Sequence, residues 1–113
     1  MENHAQKRKV PRRTFNSPIG FLYRGSYAIE QSTQVGEGGI GLVTSAPLRV
    51  HDRVIITFQV PNGSLICVRG EVRYTKPTGD KVAAGIQFET LDFHFMRELR
   101  NFVARANQEE IFA

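Results

Sequence analysis

The sequence predicts an all-β protein, a six-stranded antiparallel β-barrel with a C-terminal α-helix. Apolar and polar residues alternate along several short segments before residue 89. Clusters of glycine, proline and asparagine separate these segments, as they do in sandwiches and barrels. After residue 92 the apolar spacing changes to three and four residues, which is typical of one face of a helix. Closure into a barrel would also remove the exposed edges of the strands.

The first three strands are expected before residue 46. A short strand near residues 19–23 precedes a longer one over residues 27–35, whose mixed inner face is expected to contain Tyr27, Ile29, Gln31, Thr33 and Val35. The segment Gly36-Glu37-Gly38-Gly39 then interrupts the alternation. Because its glycines can adopt positive φ angles without a steric penalty, a tight turn is expected there, before a strand over residues 40–45.

The second half of the barrel begins with the clearest alternation in the chain, at Val54, Ile56, Phe58 and Val60. Pro61-Asn62-Gly63 is a strong turn signal, and the next strand is expected over residues 64–75. Its inward-facing positions are expected to be Val68, Gly70, Val72 and Tyr74. A turn over residues 76–80 and a last strand over residues 81–89 complete the six strands.

Residues 92–106 show the periodicity of a helix. Asp92 is a suitable N-cap because its carboxylate can accept hydrogen bonds from N–H groups of the first turn. Arg97 and Arg100 fall on the polar face. The apolar face is expected to contain Phe93, Met96, Leu99, Phe102 or Val103, and Ala106. We expect this helix to close one end of the barrel or to cover a face of its sheet.

Length and composition are those of one domain. A chain of 113 residues is too short for two typical domains, and an apolar fraction of 41% supports a core without cross-links. The single cysteine, Cys67, excludes an intrachain disulfide and a cysteine-rich zinc site, and it is expected to be half-buried in a strand. No apolar run has the length of a membrane span and no secretory signal is recognisable, so a cytoplasmic protein is expected.

The net charge of +4 is concentrated at the N-terminus. Residues 1–13 contain five basic residues and one acidic residue, whereas the remaining residues contain equal numbers of each. The sequence therefore predicts a flexible basic segment over residues 1–13 and a barrel domain over residues 14–108. Such a segment either attracts phosphate groups or is simply a solvated tail.

Nothing in the sequence forms a recognisable catalytic constellation. His4, His51 and His94 fall in the tail, in a turn and at the start of the helix, without the spacing of metal ligands. No serine or cysteine occurs in a recognisable nucleophile motif. We therefore expect a binding protein rather than an enzyme, with no metal and no cofactor.

Two motifs carry the functional prediction. Arg8-x-x-x-Arg12 lies in the basic segment, and Gln34-x-Gly36-x-x-Gly39 lies at the glycine-rich turn. Their order and spacing resemble the PilZ family of receptors for the bacterial second messenger cyclic di-GMP, which is marked by R-x-x-x-R before a six-stranded barrel and by [D/N]-x-S-x-x-G at a strand turn. The resemblance covers roughly residues 7–106 and implies the same barrel and C-terminal helix.

The resemblance also implies roles for individual residues. Arg8 and Arg12 would bind phosphate and guanine groups, since a guanidinium can form paired hydrogen bonds and can stack on a base. Lys7, Lys9 and Arg13 would add long-range attraction that salt screens. Gly39 matches the second motif, but Gln34 replaces the acidic or amide residue and Gly36 replaces the serine. Those two changes would cost up to about 2.5–4 kcal/mol, on the order of 10²–10³ in affinity.

Three functions follow as alternatives. The first is a receptor that couples cyclic di-GMP binding to ordering of the basic segment and to an unidentified protein partner. The second is a degenerate PilZ-like protein–protein interaction adaptor that no longer binds the nucleotide, which the changes at Gln34 and Gly36 favour. The third is nucleic-acid binding through the tail, and the absence of aromatic residues interleaved with the basic ones opposes it.

Overall fold

The computed structural model describes residues 11–112, and the side chains of residues 11–106. This part of the chain forms seven β-strands and one α-helix. Their bounds are β1 (Arg12–Thr14), β2 (Pro18–Tyr23), β3 (Ser26–Gly36), β4 (Gly39–Thr44), β5 (Arg53–Gln59), β6 (Leu65–Thr78), β7 (Lys81–Phe88) and α1 (Phe93–Phe112). The six expected strands are present, and β1 is an additional strand that crosses the expected domain boundary between residues 13 and 14. The rest of the expected basic segment, residues 1–10, lies outside the described residues.

Six of the strands form a closed antiparallel barrel, which confirms the predicted fold class. Their order is β3-β2-β5-β6-β7-β4, and β4 pairs with β3 to close the barrel. β1 and β2 pair with the same edge of β3. They are therefore consecutive pieces of one interrupted strand. The buried hydroxyl of Ser32 bridges the interruption: its single O–H lies within donating distance of the carbonyl oxygens of Phe15 (2.7 Å) and Ser17 (2.6 Å), and its oxygen accepts from the N–H of Ser17 at 3.0 Å.

α1 closes one end of the barrel, the first of the two expected placements. Leu99 and Phe102 are buried in the same core as the strand residues, and the Phe102 ring meets Phe15 edge-on with centroids 5.8 Å apart. The helix begins as expected at Asp92, whose carboxylate accepts a hydrogen bond of 2.9 Å from the N–H of His94. Glu98 ties the helix to the β5–β6 turn, because its carboxylate accepts bonds of 2.8 and 2.6 Å from the N–H and hydroxyl of Ser64.

The expected inner face of β3 is wrong at every position except Val35, since Tyr27, Ile29, Gln31 and Thr33 are all exposed. Tyr27 and Ile29 are 65% and 59% exposed, whereas Ser32 is buried. The reason is a β-bulge at Thr33, where the register with β4 shifts between Ser32 and Gln34. An extra residue in one strand reverses which side chains face inward on either side of it.

A second bulge changes the expected inner face of β6 in the same way. Val68 and Val72 are buried as expected, but the register with β7 shifts between Val72 and Tyr74, and Tyr74 is 43% exposed. The extra residue, Arg73, turns Tyr74 to the outer surface. β6 also continues to Thr78, so the expected five-residue turn contracts to Gly79 and Asp80.

Two smaller expectations also fail. Phe93 is 60% exposed because it is the first residue of α1 and projects beyond the end of the barrel. Cys67 is exposed rather than half-buried, because it lies on the outward-facing side of β6. No helix within residues 11–112 combines the length and the apolar character needed to cross a membrane.

Candidate functional site

The candidate site lies where β1 pairs with the C-terminal end of β3. Arg12 is directly opposite Gly36, and Thr14 is directly opposite Gln34. Residues directly opposite each other in an antiparallel pair project from the same face. Val35 lies between Gln34 and Gly36 and is completely buried, so this shared face is the outer one. The structure therefore brings together Arg12, Gln34 and Gly36 on the outside of the barrel.

Gly36 allows the close approach of β1 to β3. A Cβ atom at this position would lie 2.6 Å from the carbonyl oxygen of Pro11 and 3.2 Å from Cγ of Arg12. A Cβ at Gly39, after the turn, would collide with the carbonyl oxygen of Ile86 on β7. None of the three glycines of the turn has a positive φ, so the expected reason for them is wrong. Gly36 and Gly39 are required by crowding and not by an unusual backbone conformation.

Arg12 has unused hydrogen-bonding capacity at this site. Its Nη1 atom is buried and has no hydrogen-bond partner among the described residues. A buried donor without a partner is costly, and a guanidinium has five donors and no acceptor. A ligand with acceptor atoms, such as a phosphate or a guanine edge, would satisfy it once the groups that cover Nη1 move aside.

Gln34 sits on the bulge that separates the two halves of β3. Because of the extra residue, the side chains of Thr33 and Gln34 both lie over Gly41 of β4, with Thr33 Oγ1 2.6 Å and Gln34 Cγ 3.2 Å from the place where a Gly41 Cβ would be. Gln34 is only half-buried, so its amide group is available to a ligand. Gln34 and Arg12 project from the same face on neighbouring strands, and a single ligand can contact both.

Two glycines lie beside Gln34 on the outer side of the barrel. Gly41 is opposite Gly85 on β7, and Gly85 is in turn opposite Tyr74 on β6. A Cβ at Gly85 would collide with the ring of Tyr74, so the ring lies against the glycine backbone. Both glycines are buried beneath neighbouring side chains, so the row from Gln34 to Tyr74 offers a half-buried amide and a partly exposed aromatic ring. Sequence reasoning missed Tyr74 because the bulge that turns it outward has no clear sequence signal.

Arg13 does not lie beside Arg12 on the outer face. It projects from the opposite face of β1, where its Nη1 donates a hydrogen bond of 2.9 Å to the carbonyl oxygen of Phe102. Its guanidinium carbon also lies 4.1 Å from the centre of the Phe102 ring, within the range of a cation–π contact. Arg13 therefore ties β1 to α1. Arg8, Lys7 and Lys9, the other predicted basic residues, lie outside the described residues.

The glycine turn is also attached to α1. Arg100 Nε donates a hydrogen bond of 2.8 Å to Glu37 Oε2, and the Glu37 side chain is largely buried. The two structural pieces of the candidate site, β1 and the turn, are thus both linked to the same helix, through Arg13 and Glu37. These two contacts connect the candidate site to α1.

The clearest pKa shifts belong to structural contacts away from this site. The Asp52 carboxylate accepts a hydrogen bond of 2.5 Å from the Tyr23 hydroxyl and one of 3.0 Å from the N–H of Arg49, which lower its pKa. The same contact with Asp52 raises the pKa of Tyr23. Bonds from Ser64 lower the pKa of Glu98, and a bond from His51 lowers that of Glu71. Among the side chains of residues 11–106, no three of His, Cys, Asp or Glu form a group able to hold a metal ion.

Comparison with known proteins assigns the family. The family model of the PilZ domain matches residues 6–105. The chain belongs to the PilZ domain family, which confirms the resemblance drawn from the two motifs. Comparison with curated protein sequences gives no significant match.

Solved structures share this fold at low sequence identity. The inhibitor of motility MotI/DgrA of Bacillus subtilis superposes with a TM-score of 0.81 at 14% identity, over 92% of this chain and 52% of its own. YcgR of Escherichia coli, in complex with c-di-GMP, gives a TM-score of 0.71 at 14% identity, over 92% of this chain and 47% of its own. The isolated PilZ domain of YcgR with c-di-GMP gives 0.67 at 15% identity, over 93% and 95%. The chain spans about half the length of the first two proteins.

Proposed function

We propose that this domain is a non-enzymatic receptor for cyclic di-GMP, which binds across β1 and the glycine turn. The proposal is supported by the family, by the c-di-GMP complexes of the structural neighbour YcgR, and above all by the buried and unpartnered Nη1 of Arg12. Arg12 would donate to a phosphate or to a guanine O6 and N7 edge. Arg8, one R-x-x-x-R step earlier in the sequence, would supply the second guanidinium.

Recognition at the turn differs from the family motif in two distinct ways. Gln34 replaces an aspartate or asparagine at an accessible position, and relative to aspartate its effect is the loss of a charge-assisted hydrogen bond. Gly36 replaces a serine at a crowded position, where the carbonyl oxygen of Pro11 would lie only 2.6 Å from the Cβ of any larger residue. Gly36 therefore also permits β1 to lie directly on β3. We infer that part of the affinity lost at Gln34 and Gly36 is recovered by the fixed position of Arg12.

The Tyr74 ring adds a surface for a base. It is 43% exposed and lies against Gly85, in the same outer row as Gln34. Stacking of a base on an aromatic ring contributes about 1–3 kcal/mol. Binding of the nucleotide would also draw the basic segment before Pro11 onto the barrel, and through Arg13 and Glu37 it would alter α1 and so the surface offered to a protein partner.

Isothermal titration with cyclic di-GMP tests the proposal. The wild-type domain should release binding heat, and Arg12→Ala should lose most of it. Arg97→Ala is the matched control, because Arg97 is exposed on α1 and its removal changes the net charge equally. Equal affinities for the Arg12 and Arg97 variants would remove Arg12 from the site. An equal response to GMP would show that the domain recognises phosphate without recognising the cyclic dinucleotide.

The adaptor without nucleotide binding is the second candidate. It is favoured by Gly36, because β1 already lies against β3 and the Pro11 carbonyl occupies the space that a serine side chain would need. A site of this kind could be held closed by the protein itself. The absence of both binding heat and chemical-shift changes at high cyclic di-GMP concentration would decide for the adaptor.

A further inference from the structure

A second outer face of the barrel, on β2, β5, β6 and the N-terminal half of β3, is apolar. Tyr27, Ile29 and Leu65 are 65%, 59% and 63% exposed, an unusual exposure for large apolar side chains. Leu22 and Ile55, on the two strands between β3 and β6, are half-buried. Single exposed apolar residues are common on protein surfaces, but a connected group of them marks a site of interaction.

Strand register shows that these residues are connected. On the outer side of the barrel, Tyr27 of β3 is opposite Leu22 of β2, and Leu22 is opposite Ile55 of β5. One step along, Ile29 is opposite Gly20, over which the Tyr27 ring extends. The same side of β5 and β6 continues the surface through Thr57, Cys67 and Leu65. We call this surface the apolar face, comprising Leu22, Tyr27, Ile29, Ile55, Leu65 and Cys67.

One edge of the apolar face is strongly basic. Ile55 is opposite Arg69, and a cleft of about 340 Å³ at this edge is lined by Arg24, Arg53 and Arg69 around a floor that includes Leu22 and Ile55. Glu89 is the one acidic residue of the lining. Arg24 and Arg53 each lie 3.9 Å from a carboxylate, whereas Arg69 has no carboxylate within ion-pair distance among the described residues. The cleft therefore carries positive charge that its own acidic groups do not balance.

We propose that the apolar face docks a segment of a partner protein that combines apolar side chains with carboxylates. Arginine and tyrosine beside apolar side chains are the residues that dominate binding energy at protein interfaces. The apolar side chains of the partner would cover Tyr27, Ile29 and Leu65, and its carboxylates would enter the cleft beside Arg69. The proposal rests on the proposed role of the domain as a receptor acting through a partner, and it gives that partner its chemistry.

A protein segment fits this face better than a membrane surface does. The arginines are gathered at one edge around a concave cleft, and Glu89 lies among them. A surface that binds a membrane would carry basic residues distributed more evenly around its protruding apolar side chains, where they meet anionic headgroups. A single polypeptide segment can place its charge at one end and its apolar residues along the sheet, which matches the arrangement.

The test uses a random peptide library panned on the wild-type domain. The double variant Ile29→Glu/Leu65→Glu serves as a soluble competitor, since both positions are exposed and the fold should tolerate the change. Recovered peptides should be rich in apolar residues and in Asp or Glu. Their affinity should fall by about tenfold or more in Arg69→Glu, or when their acidic residues are replaced by Asn or Gln. Each bound peptide should also slow alkylation of Cys67, the single cysteine of the chain.

The outcomes separate this proposal from the nucleotide site. Cyclic di-GMP should titrate the Ile29→Glu/Leu65→Glu variant with unchanged affinity, and Arg12→Ala should bind the peptides normally. Peptides insensitive to Arg69→Glu, or no enrichment over the competitor, would overturn the docking proposal and leave the receptor proposal intact. Binding to vesicles containing phosphatidylglycerol that depends on Arg69, or self-association that depends on Ile29, would overturn it in favour of a lipid surface or a second copy of the chain.

Discussion

Two outer faces of one barrel share the strand β3 and differ in almost every property. Its N-terminal half contributes Tyr27 and Ile29 to the apolar face, whereas its C-terminal half contributes Gln34 and Gly36 beside the unpartnered Nη1 of Arg12. The bulge at Thr33 separates the halves. A single extra residue therefore decides which side chains of the same strand become surface. The two faces are centred on different strands of the barrel, and mutations can address them independently.

Paired variants should separate the two faces most strongly. Arg12→Ala should weaken cyclic di-GMP binding by on the order of 10², because it removes several charge-assisted hydrogen bonds at once, and it should leave peptide binding unchanged. Arg69→Glu should do the reverse. Titration calorimetry with both ligands on both variants measures all four affinities. If either variant weakened both ligands equally, the faces would not be independent.

Replacing Gln34 by aspartate should strengthen the binding of cyclic di-GMP at the face that contains Arg12 and Gln34. An accessible carboxylate can accept hydrogen bonds from two guanine N–H groups, so Gln34→Asp should raise the affinity for cyclic di-GMP by about tenfold or more. Gln31→Asp is the matched control, because it adds the same charge on the exposed part of β3. An equal change in both variants would mean that net charge, and not the position at the turn, controls the affinity.

Gly36→Ala tests the crowding that holds β1 on β3. The new methyl group would clash with the Pro11 carbonyl, so the free energy of unfolding should fall by about 1–3 kcal/mol and the melting temperature by several degrees. Gly38→Ala is the control, because nothing lies within 4 Å of a Cβ there. Equal melting temperatures for the two variants would contradict the close contact between β1 and Gly36.

The Tyr23–Asp52 contact should give the smallest effect, seen in the pH dependence of stability. Because the folded state lowers the pKa of Asp52, its contribution is present above the ordinary carboxylate pKa and is lost as pH falls through the lowered value. Asp52→Asn should therefore lower the melting temperature at neutral pH and flatten its decline between neutral and acidic pH. Thermal unfolding followed by circular dichroism measures this. Parallel curves for the two proteins would exclude Asp52 as a contributor.

The sequence predicted the barrel well where alternation is uninterrupted. Val54, Ile56 and Phe58 are buried as expected, since β5 contains no bulge. Tyr27, Ile29 and Tyr74 were placed on the wrong side because bulges reverse the alternation, and bulges arise from pairing with another strand that one sequence pattern does not specify.

The candidate site was predicted in part. The motifs located Arg12 and the glycine turn, and the structure places them together. They could not show that Arg13 faces α1, because a three-residue strand has too little pattern to indicate which side chains point outward. The motifs also could not show that Gly36 and Gly39 are required because neighbouring atoms leave no room for a side chain. Those atoms belong to Pro11 and Ile86, which are distant from the turn in sequence.

The most direct test is a titration of the ¹⁵N-labelled domain with cyclic di-GMP, followed by NMR. The account predicts chemical-shift changes at Arg12, Gln34, Gly36, Gly39 and Gly41, with none at Ile29, Leu65 or Cys67. Changes confined to the apolar face, or no change at saturating nucleotide, would contradict the assignment of the ligand to β1 and the glycine turn.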